Sequence, residues 1–247
     1  MAIPLLFVAL LAGCYAIAAL RERGWSRWRT ASWFTGCALL TLGLLPDLLP
    51  FTEHDLRKHM LQHILLGMLA PLGLVMAAPI TLLLRNVPTG TARAIARFLQ
   101  SPLGRAWANP FTALVFNMGG MAALYFTPLY MAMMVNPALH YLVHFHFVAA
   151  GCLWAWVIAG PDLALHRLSV PARLSFLGAA VLIHSVMSQM LYAGLFVGFI
   201  APREEMQRAA ELMYYGGDIT EMLLAFAMVS TWRPQRRKAS VTAVAHA

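Results

Sequence analysis

The chain has 247 residues, of which 60% are hydrophobic and only 11% are charged. About a quarter of the residues of soluble proteins are charged, so this composition argues against a soluble domain and against a disordered chain. Three cysteines are too few for a disulfide scaffold. The long apolar runs lack the alternation of barrel strands. The composition therefore predicts an all-α polytopic membrane protein, since helices satisfy their own backbone hydrogen bonds in lipid.

A membrane span needs about 20 mostly apolar residues, and the sequence contains seven such stretches. The third and sixth stretches are long enough to require a tilt or a kink, and we expect Pro71 and Pro79 to kink the third. The chain is thus predicted to form one seven-helix transmembrane domain over residues 1–232, with spans at 3–20, 31–50, 57–84, 109–135, 139–160, 172–200 and 214–232.

Lysines and arginines indicate the orientation of these spans, because they accumulate in cytoplasmic loops. Of the 18 such residues, 14 follow the first, third, fifth and seventh spans, and only four lie on the opposite side. This asymmetry predicts an outer N-terminus and a cytoplasmic C-terminus in a bacterial cytoplasmic (inner) membrane. The basic tail 233–247 is expected to be disordered. The four residues on the outer side are Arg57, Lys58, Arg203 and Arg208.

The net charge of +8 is explained by this topology and by contact with the lipid bilayer. A nucleic-acid partner would require a soluble basic face, and the predicted domain has none. The first span has no basic residue before it, so we interpret it as a membrane helix rather than a signal peptide.

Ionisable residues inside the predicted spans indicate a functional site, because each one is costly in lipid. Most of them occur as pairs three or four residues apart, which places both members on one helix face. With a rise of about 1.5 Å per residue, the pairs lie at a similar depth below the outer surface. His184 lies deeper, about 24 Å along its helix from residue 200. The pairs are His59 and His63, His140 and His144, and Asp218 and Glu221.

The chemistry of these side chains favours a transition metal. Neutral imidazole binds copper, zinc, iron and nickel, and thioether and thiolate sulfur atoms favour Cu(I). The sequence therefore predicts a metal site, with copper, in its Cu(I) form, as the first candidate and zinc or haem as alternatives. The predicted ligands are His59, His63, His140, His144, His184 and Asp218, and the weaker candidates are Met60, Met187, Cys152 and Glu221.

Each of these residue types also has a purely structural interpretation. A buried histidine often only donates a hydrogen bond between helices, and methionine often only fills gaps in a core. Asp218 could instead orient a histidine or pair with Arg203 or Arg208. His146 follows His144 by two positions and should point away from the site. His54, His166 and His246 fall in loops or in the tail and are not predicted ligands.

The motif His59-Met60-Leu61-Gln62-His63, followed by Ala70-Pro71 and Pro79, resembles the seven-span CtaG-type cytochrome c oxidase assembly factors. The resemblance covers residues 30 to 232 and includes the His140 and His144 span and the mid-span His184. In the last segment, Met213, Gly217 and Asp218 match the family pattern, whereas Glu205 and Met206 depart from it. The departure at Glu205 leaves the role of the outer acidic residue open.

This resemblance implies a protein that handles copper during maturation of the copper-containing respiratory oxidase. Its expected partner is an oxidase subunit or an extracytoplasmic copper chaperone. We expect a non-enzymatic, copper-binding assembly factor with a histidine-rich site near the outer surface.

Three other functions remain open from the sequence. A copper transporter could use His184, Met187, Met190 and Cys152 as a deeper station, although no inner station is visible. A haem protein could use His63 and His144 as axial ligands. A metal-dependent hydrolase could use His184 and Asp218, but the chain has no His-Glu-x-x-His motif.

Overall fold

The computed structural model describes residues 2–52, 55–162 and 168–231. The tail 233–247 and the loop residues His54 and His166 lie outside the described residues, so the predictions about them stay predictions. Within the described part, all regular elements are helical. The α-helices are α1 (Ala2–Arg21), α2 (Arg27–Leu44), α3 (Leu56–Ile64), α4 (Ala70–Met76), α5 (Pro79–Asn86), α6 (Thr89–Gln100), α7 (Pro102–Trp107), α8 (Pro110–Phe126), α9 (Leu129–Val135), α10 (Pro137–Ile158), α11 (Val170–Ala193) and α12 (Arg203–Ser230).

The all-helical membrane architecture that the composition predicted is present. Among the described residues, four helices are long and apolar enough to cross a membrane, or five if the bent pair α8 and α9 forms one span. The axes of α8 and α9 differ by 77°. Helices α2 and α12 are less apolar, because α2 begins with arginines and α12 carries carboxylates inside it. The apolar spans are Ile3–Arg21, Leu56–Met76, Pro137–Ile158 and Val170–Ala193.

The third predicted span is interrupted twice. Helices α3 and α4 are joined by a π-helical turn at Leu65–Leu69, directly before Pro71. Proline lacks a backbone N–H and its ring crowds the preceding turn, so a widened turn at this point accommodates it. The predicted helix over 57–84 then breaks at Ala78, whose φ of 54° lies in the left-handed region.

The break at Ala78 is held by hydrogen bonds from distant elements. The Tyr15 hydroxyl of α1 donates to the carbonyl of Ala77 over 3.0 Å. The Asp162 carboxylate accepts from the backbone N–H of Ile80 and of Thr81, which satisfies two free donors at the start of α5. These bonds explain why the third span ends before Pro79.

Two other predicted boundaries differ from the structure. The sixth span ends at Gly194, whose φ of 71° suits a glycine cap, and the segment up to residue 202 is irregular. The seventh helix begins at Arg203 rather than at residue 214. The apolar residues beyond Gly194 thus belong to a loop. The sequence assigned them to the sixth span because hydropathy does not distinguish a loop from the end of a helix.

The third-span segment lies at the centre of the bundle, against α2, α10 and α12. Glycines make this packing close. A Cβ atom at Gly151 of α10 would overlap the carbonyl oxygen of Gly67 and would lie 2.8 Å from Cγ of Pro71. A Cβ at Gly36 of α2 would lie 2.8 Å from the backbone nitrogen of Leu74. Small residues allow helices to approach in this way, as is typical of membrane bundles.

This packing predicts that Gly151→Val destabilises the protein, because the added side chain has no room against the π turn. Overpacking of this kind costs about 1–3 kcal/mol. The matched control is Gly178→Val on α11, where an added Cβ meets no atom within 4 Å. Thermal unfolding of the two variants in detergent should show a lower Tm for Gly151→Val alone. Equal Tm values would contradict this account of the helix contact.

Candidate functional site

The N-terminal end of α3 is fixed by carboxylates from two parts of the chain. Asp55 accepts the backbone N–H of Arg57 at 2.9 Å and also binds its guanidinium group, which lowers the pKa of Asp55. Glu205 of α12 accepts the backbone N–H of Leu56 at 2.9 Å. Both bonds satisfy free donors of the first helical turn. They hold α3 in register against α12 and set the positions of His59 and His63.

The two histidines of α3 face aromatic side chains of α8, α9 and α10. The centroid of His59 lies 5.1 Å from that of Tyr130 and 6.0 Å from that of Tyr125, in edge-on contact. The centroid of His63 lies 4.6 Å from that of Phe147. Both histidines are buried, with 8% and 5% of their surface exposed. The shared helix face predicted for His59 and His63 is therefore an interior face.

The histidines of α10 lie side by side near its beginning. The ring centroids of His140 and His144 are 4.4 Å apart. His144 is buried, whereas His140 is only half-buried. His59 is close enough to His140, His144 and His63 to interact with each of them electrostatically. Helices α3 and α10 thus bring their histidine pairs together, with His140 on the more exposed side.

His184 of α11 continues this arrangement. It is 1% exposed and lies within electrostatic range of His63. Its ring fits against Gly217 of α12, where a Cβ atom would overlap it. We call the five residues of this arrangement the histidine row: His140, His144, His59, His63 and His184.

Several nitrogen atoms of the histidine row have no hydrogen-bond partner among the described residues. They are Nε2 of His59, Nδ1 of His63, Nε2 of His144, and both ring nitrogens of His184. Buried polar atoms in folded proteins are nearly always bonded to protein, water or a ligand. These atoms are therefore free to bind a ligand, and their chemistry fits a metal that accepts imidazole.

The predicted ligands do not form one closed centre. In the part of the chain that the structure describes, no group of three or more histidine, cysteine, aspartate or glutamate side chains is arranged to hold a metal ion. The sequence predicted one layer of ligands, because it fixes depth along each helix but not the distances between helices. The metal site stays a prediction.

The two acidic candidates on α12 differ in their surroundings. Asp218 is half-buried. It forms an ion pair with neither Arg203 nor Arg208, and Arg208 pairs with Glu204 instead. Glu221 is 4% exposed, and both of its carboxylate oxygens lack a partner in the described structure. Glu221 is therefore the more buried of the two carboxylates.

The sulfur candidates are part of the core. Met60 is fully buried and Met187 is 7% exposed, and both pack in the large apolar cluster around α8 and α10 to α12. Cys152 is half-buried and contacts both apolar clusters. Another methionine, Met68, does meet a polar group, because its sulfur accepts a hydrogen bond from the Thr220 hydroxyl over 3.3 Å.

His146, which was not predicted to be a ligand, lies against α8. A ring nitrogen of His146 lies 3.1 Å from the carbonyl oxygen of Phe116 on α8. This agrees with the expectation that His146 points away from the face of His144.

Sequence reasoning missed two residues that shape the row, Tyr125 and Tyr130, which contact His59. The tyrosines have no pattern that separates them from other aromatic residues of a span. The role of Glu205 was left open, and the structure shows that it fixes the start of α3. The glycines before Asp218 did indicate a close helix approach, and Gly217 makes room for the His184 ring.

Comparison with known proteins agrees with the resemblance seen in the motifs. The sequence model of the cytochrome c oxidase caa3 assembly factor family matches residues 13–235. An uncharacterized protein of Mycobacterium bovis and one of Mycobacterium tuberculosis are each 33% identical over 177 residues, which is 68% of this chain and 27% of each relative.

An uncharacterized protein of Mycobacterium leprae is 23% identical over 242 residues, which is 90% of this chain and 37% of the relative. The chain thus spans about a quarter to a third of the length of these curated relatives. No solved structure matches it. Because the family match covers nearly the whole chain, including every residue of the histidine row, the chain belongs to the cytochrome c oxidase caa3 assembly factor family.

Proposed function

We propose that this chain is an integral membrane copper-binding assembly factor for cytochrome c oxidase, and that it acts without catalysing a reaction. The observation that carries the proposal is the histidine row, in which four buried imidazoles from three helices keep ring nitrogens that have no partner in the described part of the chain. Such groups are costly inside a membrane unless they bind something. Imidazole binds copper, zinc and haem iron, and we take Cu(I) as the first candidate because of the family, with zinc or haem as the alternatives.

The proposed topology has seven spans, an outer N-terminus and a cytoplasmic C-terminus in the bacterial inner membrane. The less apolar helices α2 and α12 are included because they pack directly on the apolar helices of the bundle. The carboxylate of Glu221 on α12 faces the interior, which is where ionisable residues of membrane spans are found. This topology places His140 on the outer side.

The geometry suits a protein that receives and releases a metal rather than one that retains it. His140 is accessible and contacts the buried His144, so a metal could be exchanged at this end of the row. A row without a closed cage favours release. The proposed recipient or donor is an oxidase subunit or an extracytoplasmic copper chaperone on the outer side of the membrane.

This function predicts that His63→Ala and His144→Ala each weaken Cu(I) binding at least about tenfold, ~1.4 kcal/mol, because each removes an imidazole from the row. Affinity is measured on the purified protein by competition with a chromogenic Cu(I) chelator. His146→Ala is the matched control, since it removes an imidazole of the same helix that faces α8, and it should bind like the wild type. Unchanged affinity in both His63→Ala and His144→Ala would contradict the metal site.

The assembly role predicts a defect in cells. A strain without the gene should show reduced activity of its copper-containing oxidase, and the wild-type gene should restore it. His63→Ala should fail to restore activity while accumulating in the membrane to the same level as His146→Ala. Full restoration by His63→Ala would separate oxidase assembly from the histidine row.

The topology predicts that a fluorescent protein fused after Thr231 is fluorescent, because it folds in the cytoplasm but not when exported unfolded across the membrane. A fusion after Ile200, in the outer loop before α12, should be dark and yet detectable by immunoblot. The reverse pattern would invert the orientation.

A further inference from the structure

A cleft of about 320 Å³ opens between α11 and α12. Its volume exceeds that of one water molecule about tenfold. Most of its lining residues in the described structure are polar, and none of them is a lysine or arginine. Its polar lining residues are Ser188, Gln189, Tyr192, Glu211, Tyr214 and Tyr215.

The floor of the cleft meets the buried end of the histidine row. Ser188 is 1% exposed, and its hydroxyl donates to the backbone carbonyl of His184 at 2.9 Å. His184 is one helical turn from Ser188 along α11. On the facing helix, Tyr214 precedes by three residues Gly217, which contacts the His184 ring. The cleft therefore ends one helical turn from His184, which does not itself line it.

Two buried side chains below the cleft, His184 of α11 and Glu221 of α12, have no hydrogen-bond partner for their polar atoms in the described structure. Neither ring nitrogen of His184 and neither carboxylate oxygen of Glu221 has a hydrogen-bond partner in the described residues, and both side chains are more than nine-tenths buried. Glu221 follows Gly217 by one turn, so it lies about 5–6 Å deeper than the contact between Gly217 and His184. A carboxylate and an imidazole on one interface are ligands for a cation.

The charge of the interface also favours a cation. Glu211 is the carboxylate among the residues that line the cleft, and the buried carboxylate of Glu221 lies further along the same helix. An open cleft lined by one sign of charge concentrates ions of the other sign.

From these observations we infer that the cleft is a second opening of the metal site, through which a copper ion reaches His184 from the outer side, with Glu221 compensating its charge. This inference rests on the proposed function, because it gives an access route to the same row of histidines. The row then has two accessible ends, His140 at one and the cleft at the other.

A route and a binding site respond differently to obstruction. Blocking a route slows both loading and release and leaves the equilibrium affinity unchanged, since affinity depends only on the end states. Gln189 lines the cleft and is exposed, so Gln189→Trp fills the opening without disturbing the core. The matched control is Leu182→Trp, which adds an indole to another exposed position of α11, 65% accessible and outside the cleft.

The experiment uses the full chain in nanodiscs of neutral phosphatidylcholine. Cu(I) is supplied from its bicinchoninate complex, and the loss of the chelator colour is followed by stopped flow and at equilibrium. Gln189→Trp should load about tenfold more slowly with an unchanged Kd. Leu182→Trp should load like the wild type.

The charge of the cleft gives a second readout. Glu211→Gln should slow loading about threefold at low salt, and the difference should vanish at 1 M salt, where the Debye length is about 3 Å. Asp47→Asn is the control for the removed charge, since Asp47 is exposed and lies outside the cleft.

The outcomes separate the two proposals. A wild-type rate in Gln189→Trp, with Cu(I) bound normally, would overturn the cleft route alone and mean that the cleft holds only water. A wild-type chain that binds no Cu(I) would overturn the proposed function and, with it, the cleft route. A changed Kd in Gln189→Trp would mean that the cleft is part of the binding site and not a route to it.

Discussion

Polar groups inside a lipid bilayer have no bulk water to bond with, so the protein must satisfy them or bind something that does. This chain meets that constraint for its backbone by being helical and for many side chains by hydrogen bonds to other elements of the fold. Asp162 caps α5, Gln62 donates to the carbonyl of Gly43, and Arg173 donates to the carbonyl of Ile158. The described part of the chain also contains buried polar atoms without a hydrogen-bond partner, and five of them are ring nitrogens of the histidine row. The others include both carboxylate oxygens of Glu221 on α12.

Close helix packing brings the row together. The π turn at Leu65–Leu69 allows the third-span segment to pass Pro71 and still pack on α10 at Gly151. On the other side, Gly217 lets α12 approach α11 so closely that its backbone touches the His184 ring. Without these approaches the histidines of α3, α10 and α11 would lie farther apart than they do.

The first turns of α3 and α12 are joined by a hydrogen bond. Glu205 of α12 accepts the backbone N–H of Leu56, in a position where the sequence departs from the family pattern and where its role was left open. The carboxylate is thus used to fix helix ends. His140 at the beginning of α10 is only half-buried, and the α11–α12 cleft reaches Ser188, one helical turn from His184. The row is therefore less enclosed at these two points than at His59 and His63, which are buried.

The sequence by itself determined the all-helical membrane class, the family and the helix faces of the paired histidines, because hydropathy and the 3.6-residue period are local properties. It also excluded His146, which lies two positions from His144. Only the tertiary structure decided that the third span breaks at Ala78, that α12 begins at Arg203, and that Asp218 makes no ion pair with Arg203 or Arg208. It also decided which histidines meet. These features depend on contacts between helices far apart in the chain, such as the bond from Tyr15 to Ala77, and no periodicity within one segment encodes them.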